Sequence, residues 1–237
     1  MTNISRGLPS RADGGPLVKI CGLRREQDVD AALNAGADLL GIVFAPSRRQ
    51  VTVDTASVLV RTAHGAAPVV GVFVNTPIHD INAVVAETGI SFAQLSGDEN
   101  PADLAALTVP YIKALHTREG VTSQELLHIM NLYRAPSAIL LDAWSPLGGG
   151  SGRTADWAVA RELVCGSAAP VMLAGGLNPL NVAEALLLTH PVGVDVSSGV
   201  EQDGWKDASL IRSFVDAVRS ARGSRPSLGQ SMKRESQ

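Results

Sequence analysis

The stretch Pro16-Leu17-Val18-Lys19-Ile20-Cys21-Gly22-Leu23-Arg24-Arg25-Glu26 decides the reading of the fold. Its first half is a short, mostly apolar run and reads as a strand; its second half reads as the start of a helix. A glycine closes the strand, yet Leu23-Arg24-Arg25-Glu26 follow it, so the glycine fingerprint of an open dinucleotide-binding sheet does not begin here. The same strand-then-helix unit returns along the chain. Strands are predicted over residues 16–21, 38–44, 69–74, 92–95, 111–115, 138–142, 170–174 and 193–196. Most are dense in Val, Ile and Leu with little polar alternation, as strands buried on both faces are. Helices are predicted near 25–35, 54–63, 77–88, 101–107, 122–132, 156–163, 179–187 and 206–220. Asp54, Thr76 and Asn178 are expected as N-caps, Pro77 and Pro179 at first helical positions, and Gly36 and Gly89 at C-terminal ends.

Repeated βα units predict a parallel sheet with helical crossovers, and about eight of them predict closure into a single-domain (β/α)8 TIM barrel. The 237 residues suit one such barrel. Residues 16–221 are expected to form it, with 1–15 and 222–237 as unordered polar tails. Hydrophobic residues make up 45% of the chain and charged residues 18%, which is enough for a substantial core. The net charge of -3 carries no electrostatic footprint for nucleic acid. No run of about 18 apolar residues predicts a membrane span, and the N-terminus lacks the apolar centre of a signal peptide. Two cysteines, Cys21 and Cys165, make neither a disulfide framework nor a cysteine-based zinc site. A cytoplasmic location with reduced thiols is expected.

Barrel active sites sit at the C-terminal ends of the strands, and Cys21 falls at such an end. A lone cysteine there is either a small core hydrophobe or a reactive thiol, and reactivity needs surroundings that favour the thiolate. Lys19 lies two residues back and so points to the same face, where its charge is expected to favour that thiolate. Asp142 ends the apolar run Ala138-Ile139-Leu140-Leu141. It either caps the next loop or serves as a general acid or base whose pKa is raised by partial burial.

The cluster Gly148-Gly149-Gly150-Ser151-Gly152-Arg153-Thr154 fails the P-loop pattern and reads as a loop able to close over a substrate. Ala174-Gly175-Gly176-Leu177-Asn178 and Asp195-Val196-Ser197-Ser198-Gly199-Val200 end the seventh and eighth strands. Their glycines and serine hydroxyls suit a phosphate dianion, at the place where many barrels hold one. A phosphorylated small substrate is therefore expected. Arg48 and Arg49 follow the second strand and are either solvated loop charges or a fork for a carboxylate.

Together these pieces resemble the phosphoribosylanthranilate isomerases of tryptophan biosynthesis. The matching segments are Lys19-Ile20-Cys21-Gly22, Gly41-Ile42-Val43-Phe44 with Ser47-Arg48-Arg49, Leu141-Asp142, Gly150-Ser151-Gly152 and Asp156-Trp157. To these are added Ala174-Gly175-Gly176-Leu177 and Gly193 through Glu201, so the likeness runs from about residue 17 to about 220. It implies a metal-free, cofactor-free Amadori rearrangement by general acid–base catalysis in a monomer or homodimer. Asp142 is implied as the general acid that opens the sugar ring and Cys21 as the base that removes the C2 proton. Arg49, which faces the anthranilate carboxylate, Gln94 and Asp195 are implied in substrate binding. Gly175, Gly176, Ser197, Ser198 and Gly199 are implied around the phosphate. One position departs: where the family usually has Gln-Leu-His-Gly, this chain has Gln94-Leu95-Ser96-Gly97. Two other readings remain at this level, a different phosphosugar isomerase on the same barrel and a non-catalytic phosphate-binding barrel.

Overall fold

A computed structural model describes residues 7–117, 121–143 and 157–221. The chain runs β1 (Leu17–Cys21), α1 (Glu26–Ala35), β2 (Leu39–Val43), α2 (Val53–Ala63), β3 (Val69–Phe73), α3 (Ile78–Thr88) and β4 (Phe92–Leu95). It continues β5 (Tyr111–Thr117), α4 (Ser123–Leu132), β6 (Ala138–Ala143), α5 (Trp157–Gly166), β7 (Val171–Ala174), α6 (Val182–Thr189) and β8 (Gly193–Val196). A short antiparallel hairpin, β9 (Glu201–Gln202) and β10 (Trp205–Lys206), precedes the last helix, α7 (Ala208–Ser220). Strands β1 to β8 pair in chain order, and β8 returns in parallel to β1, so the sheet closes into a barrel. No helix among the described residues is long and apolar enough to cross a membrane.

Period-two alternation sorts each strand between two cores. Leu39, Val70, Phe92, Ile112, Ala114, Ala138, Leu140, Met172 and Ala174 fill the barrel. Ile20, Leu40, Ile42, Leu115, Ile139, Leu141 and their neighbours pack outward under the helices. The inward sequences Ile112, Ala114, His116 on β5 and Ala138, Leu140, Asp142 on β6 turn polar at the C-terminal mouth, where His116 and Asp142 stand as register partners. The fold thus delivers strand-end side chains into one opening.

Several local expectations are corrected. The helix expected over 101–107 is a single 3-10 turn, Asp103–Ala106; so short a segment cannot offset the cost of helix nucleation. Thr52, not Asp54, caps α2, its hydroxyl accepting from the Thr55 N–H at 3.2 Å. Pro77 occupies the N-cap position of α3, one residue before the helix. Helix α6 starts at Val182 because Asn178 spends its carboxamide oxygen on the Leu180 N–H in a local turn. Gly36 and Gly89 close α1 and α3 in the left-handed conformation, as expected. Residues 7–15, read as tail, make contacts that a free tail would not: Leu8 packs against the inner core and Arg11 donates to Asp38 at 2.8 Å.

A buried ion pair pins the loop after β4. Lys113 Nζ donates to Glu99 Oε2 at 2.7 Å and to the carbonyls of Leu95 and Gly97, while Glu99 Oε1 accepts from the N–H groups of Gly97 and Asn75. Burial pushes the Glu99 carboxyl up, but the Lys113 bond and the N–H groups outweigh it and its pKa is lowered. Such a group contributes stability above its unfolded pKa and loses that contribution as pH falls through its folded value. Lys113→Met strands a buried carboxylate and is expected to cost about 3–5 kcal/mol at neutral pH, read from the urea midpoint. The difference from the parent chain should shrink in acid, once Glu99 is protonated.

Candidate active site

Cys21 ends β1 with its side chain turned into the mouth and 8% of the residue exposed. The next residue, Gly22, has φ of 79°, so the chain turns away at once into the loop before α1. Lys19 is wholly buried below the thiol, its Nζ donating to Asp195 Oδ1 at 2.9 Å. Space for both comes from Gly41 on β2: a Cβ there would lie 2.9 Å from Cys21 Sγ and 3.0 Å from Lys19 Nζ. Burial raises the Cys21 pKa, and Asp195 raises it further; Lys19 and Lys206 act in the opposite direction. The expected help from Lys19 is present, but burial is larger and the thiol ends above its ordinary value. Burial by itself would lower the Lys19 pKa, yet the charges of Asp195 and Cys21 outweigh it and keep Lys19 an ammonium.

Asp142 stands half-exposed at the end of β6, with Oδ2 3.7 Å from Nδ1 of His116. The other ring nitrogen of His116 lies 3.4 Å from the Ser96 carbonyl. Burial raises the Asp142 pKa, and Asp195 adds to that; His116 and Lys19 oppose it. Cys21 and Asp142 therefore both lie within electrostatic reach of the Lys19–Asp195 pair. Gln94 on β4 is 5% exposed; its Nε2 donates to Ser96 Oγ at 3.0 Å, and its Oε1 has no hydrogen-bond partner among the described residues.

The loops after β7 and β8 meet beside Cys21. Gly175 and Gly176 both take positive φ, 83° and 64°. Gly199 approaches so closely that a Cβ there would collide with the Leu177 carbonyl oxygen. Asn181 ties the first loop by donating to the Gly176 carbonyl at 3.0 Å. Ser197 Oγ donates to the Cys21 carbonyl at 3.1 Å, so this hydroxyl links β8 to β1; Ser198 opens the 3-10 turn that follows. The glycine cluster 148–154 and Asp156 lie outside the described residues.

Arg49 does not stand free. Its Nε and Nη2 donate to the two carboxylate oxygens of Glu201 at 2.7 and 2.8 Å. Arg48 Nη2 and Lys206 Nζ add bonds of 2.8 Å each to the same carboxylate. Burial pushes the Glu201 pKa up, but Arg49 and Lys206 bring it down to about 2. Sequence reasoning assigned nothing to Glu201, Lys206, Gly41 or the contact of His116 with Asp142. The hairpin that carries Glu201 and Lys206 had one legible signal, the turn dipeptide Asp203-Gly204, whose residues both take positive φ.

Comparison with known proteins identifies the family. Residues 18–217 match the family model described as N-(5'phosphoribosyl)anthranilate (PRA) isomerase. An N-(5'-phosphoribosyl)anthranilate isomerase of Moorella thermoacetica is 40% identical over 205 residues, covering 86% of this chain and 90% of its own. The crystal structure of the phosphoribosyl anthranilate isomerase of Thermotoga maritima superposes with a TM-score of 0.79 at 33% identity, over 86% of this chain and 99% of that one. A further solved structure is of a phosphoribosyl anthranilate isomerase in complex with reduced 1-(o-carboxyphenylamino)-1-deoxyribulose 5-phosphate. It gives a TM-score of 0.75 at 30% identity over 86% and 99% of the two chains. With a closed eight-stranded barrel and a match that spans it, this chain belongs to the N-(5'-phosphoribosyl)anthranilate isomerase family.

Proposed function

We propose that this isomerase converts N-(5'-phosphoribosyl)anthranilate into 1-(2-carboxyphenylamino)-1-deoxyribulose 5-phosphate, as a cytoplasmic enzyme of tryptophan biosynthesis. The reading is carried by one observation. A carboxyl group with a raised pKa and a thiol beside a buried ammonium share one barrel mouth and one ion pair. Asp142 delivers a proton to the furanose ring oxygen, and the C1–O bond breaks as the anilino nitrogen lone pair forms a Schiff base. The Cys21 thiolate then removes the proton from C2, and the electron pair of that C–H bond flows toward the iminium nitrogen. The resulting enolamine tautomerises to the ketone.

The surrounding residues fit the two ends of this substrate. Arg49 faces the anthranilate carboxylate with the edge of its guanidinium that Glu201 leaves open. Gln94 offers its unpartnered acceptor to a sugar hydroxyl, and Asp195 lies beside the reacting carbons while holding Lys19. Gly175, Gly176, Ser198 and Gly199 cradle the phosphate with backbone N–H groups. Ser197 contributes through its main chain, because its hydroxyl is committed to Cys21.

The direct test is turnover, followed as loss of anthranilate fluorescence. Cys21→Ala and Asp142→Asn should each lower kcat by about two to four orders of magnitude, the usual worth of a general acid or base, with little change in KM. Intact binding of the substrate by the unaltered protein with no turnover would instead favour a non-catalytic barrel.

A pH profile tests the assignment of roles. The productive form needs Asp142 protonated and Cys21 ionised, yet burial raises both groups, which leaves the thiol well above the carboxyl. Activity should then be bell-shaped in kcat/KM, with the acid limb belonging to Asp142 and the basic limb to Cys21. Between the limbs the productive form is a constant minority. The charged form of His116 lowers the Asp142 pKa. His116→Gln should therefore move the acid limb to higher pH and raise the plateau fraction of productive enzyme. An unchanged acid limb in that variant would remove His116 from the account. Lys19→Met takes away the cation that most lowers the Cys21 pKa, so that pKa should rise. Alkylation of the thiol followed against pH should show its midpoint displaced upward.

A further inference from the structure

Glu201 gathers three cations around one carboxylate at the edge of the mouth. Arg48, Arg49 and Lys206 all donate to one carboxylate that is itself nearly buried, its side chain 6% exposed. Three cations against one anion leave the group positive, but the Glu201 charge itself repels an anionic ligand, so what Glu201 adds to recognition must come through holding Arg49 in place. The geometry is specific. Glu201 accepts from Nε and Nη2 of Arg49, a bidentate pair that fixes the guanidinium plane and consumes one edge of it. Lys206 holds Glu201 from the other side while also donating to the Ser197 carbonyl at 2.8 Å. The carboxylate is thereby prevented from turning.

The hairpin that carries Glu201 is anchored in its turn. The guanidinium carbons of Arg24 and Arg25 stack 4.0 and 4.2 Å from the centre of the Trp205 ring, and Arg24 also donates to the Gly204 carbonyl. On the other face of Arg49, Gly22 clears the path: a Cβ there would lie 2.5 Å from Arg49 Cδ. Arg49 is therefore gripped on one edge by Glu201, threaded past Gly22, and brought within electrostatic reach of Cys21.

We propose that Glu201 is a positioning residue that sets the specificity of this enzyme for a carboxylated arylamine substrate. It orients Arg49 so that the remaining guanidinium edge meets the substrate carboxylate. The inference rests on the reading of Arg49 given above and adds to it the residue through which Arg49 acts. Glu201 itself touches no reacting atom.

The test is a discrimination ratio, measured on the full chain. The value of kcat/KM is determined for N-(5'-phosphoribosyl)anthranilate and for its analogue without the carboxylate, N-(5'-phosphoribosyl)aniline. Glu201→Gln keeps the shape and removes the charge; it should lower the ratio about tenfold, the size of coupling seen between groups in direct contact. The loss should appear in KM for the carboxylated substrate, with the aniline analogue little affected. Glu201→Asp keeps the charge but withdraws the oxygens by one methylene, so it should lower the ratio as well, and it serves if Glu201→Gln does not fold. Arg49→Ala should collapse the ratio, and adding Glu201→Gln to it should lower it no further. A ratio that survives both Glu201 changes while Arg49→Ala abolishes it overturns the role of Glu201 alone. A ratio that survives Arg49→Ala overturns the underlying reading of the carboxylate site. Effects of Glu201→Gln and Arg49→Ala that simply multiply also overturn the proposal, because Glu201 would not then act through Arg49.

Discussion

Lys19 and Asp195 meet at 2.9 Å inside the barrel, on facing positions of the seam where β1 and β8 close the sheet. Burying either charge alone is prohibitive, and burying them together is tolerable only with close, well-satisfied geometry. That condition constrains much else. The two strands must pair in the register that sets Lys19 opposite Asp195, since a slip of one residue turns a side chain to the other face of the sheet. The neighbouring strand must supply a glycine, because any side chain at position 41 would occupy the space of the ammonium and the thiol. The apolar filling of the barrel, complete around Leu39, Phe92 and Met172, gives way to charge at this layer. The mouth opens directly above that layer.

The loops that build the mouth depend on close backbone approach. Gly199 seats one loop on the carbonyl of Leu177, Gly22 lets Arg49 pass, and Ser197 stitches the β8 loop to the end of β1. The first two join loops of successive βα units, and the last closes the barrel across 176 residues of sequence. The hairpin of β9 and β10 then joins these loops to the arginines after β2 through a single carboxylate. Packing and charge recognition are here the same set of contacts: the bonds that hold the loops in place also fix what the loops present.

Legibility from sequence followed the range of the interaction. The eight strands were legible because burial on both faces writes itself into consecutive residues, and the barrel followed from their number and spacing. The strand-end positions of Cys21 and Asp142 were legible because a polar side chain at the end of an apolar strand is visible within five residues. Helix starts were less so: Thr52 and Asp54 are both good capping residues, and only the path of the chain into α2 selects the first. The bidentate grip of Glu201 on Arg49 spans 152 residues of sequence, and the Lys19–Asp195 bond spans 176. No local pattern encodes such pairs. The Asp203-Gly204 turn is a local signal that does mark its hairpin, but the strands it joins have only two residues each and leave no apolar pattern beside it.

The orientation of the Lys19–Asp195 pair bears on how one mouth can hold an acid and a base. As a whole the pair is neutral, so its effect on a neighbour depends on which end lies nearer. Cys21 shares a strand with Lys19, and the ammonium acts on it more strongly than the carboxylate does. For Asp142 the order is reversed, and Asp195 acts more strongly than Lys19. Relative to burial alone, the same ion pair thus draws the thiol pKa down and pushes the carboxyl pKa up. Those are the directions that the base and acid proposed above need if both are to work near neutral pH. Burial still dominates each group, so the pair narrows the gap between them rather than inverting it. His116 acts on the Asp142 end and Lys206 on the Cys21 end, so each end of the pair has a neighbouring charge of its own that sets the field there.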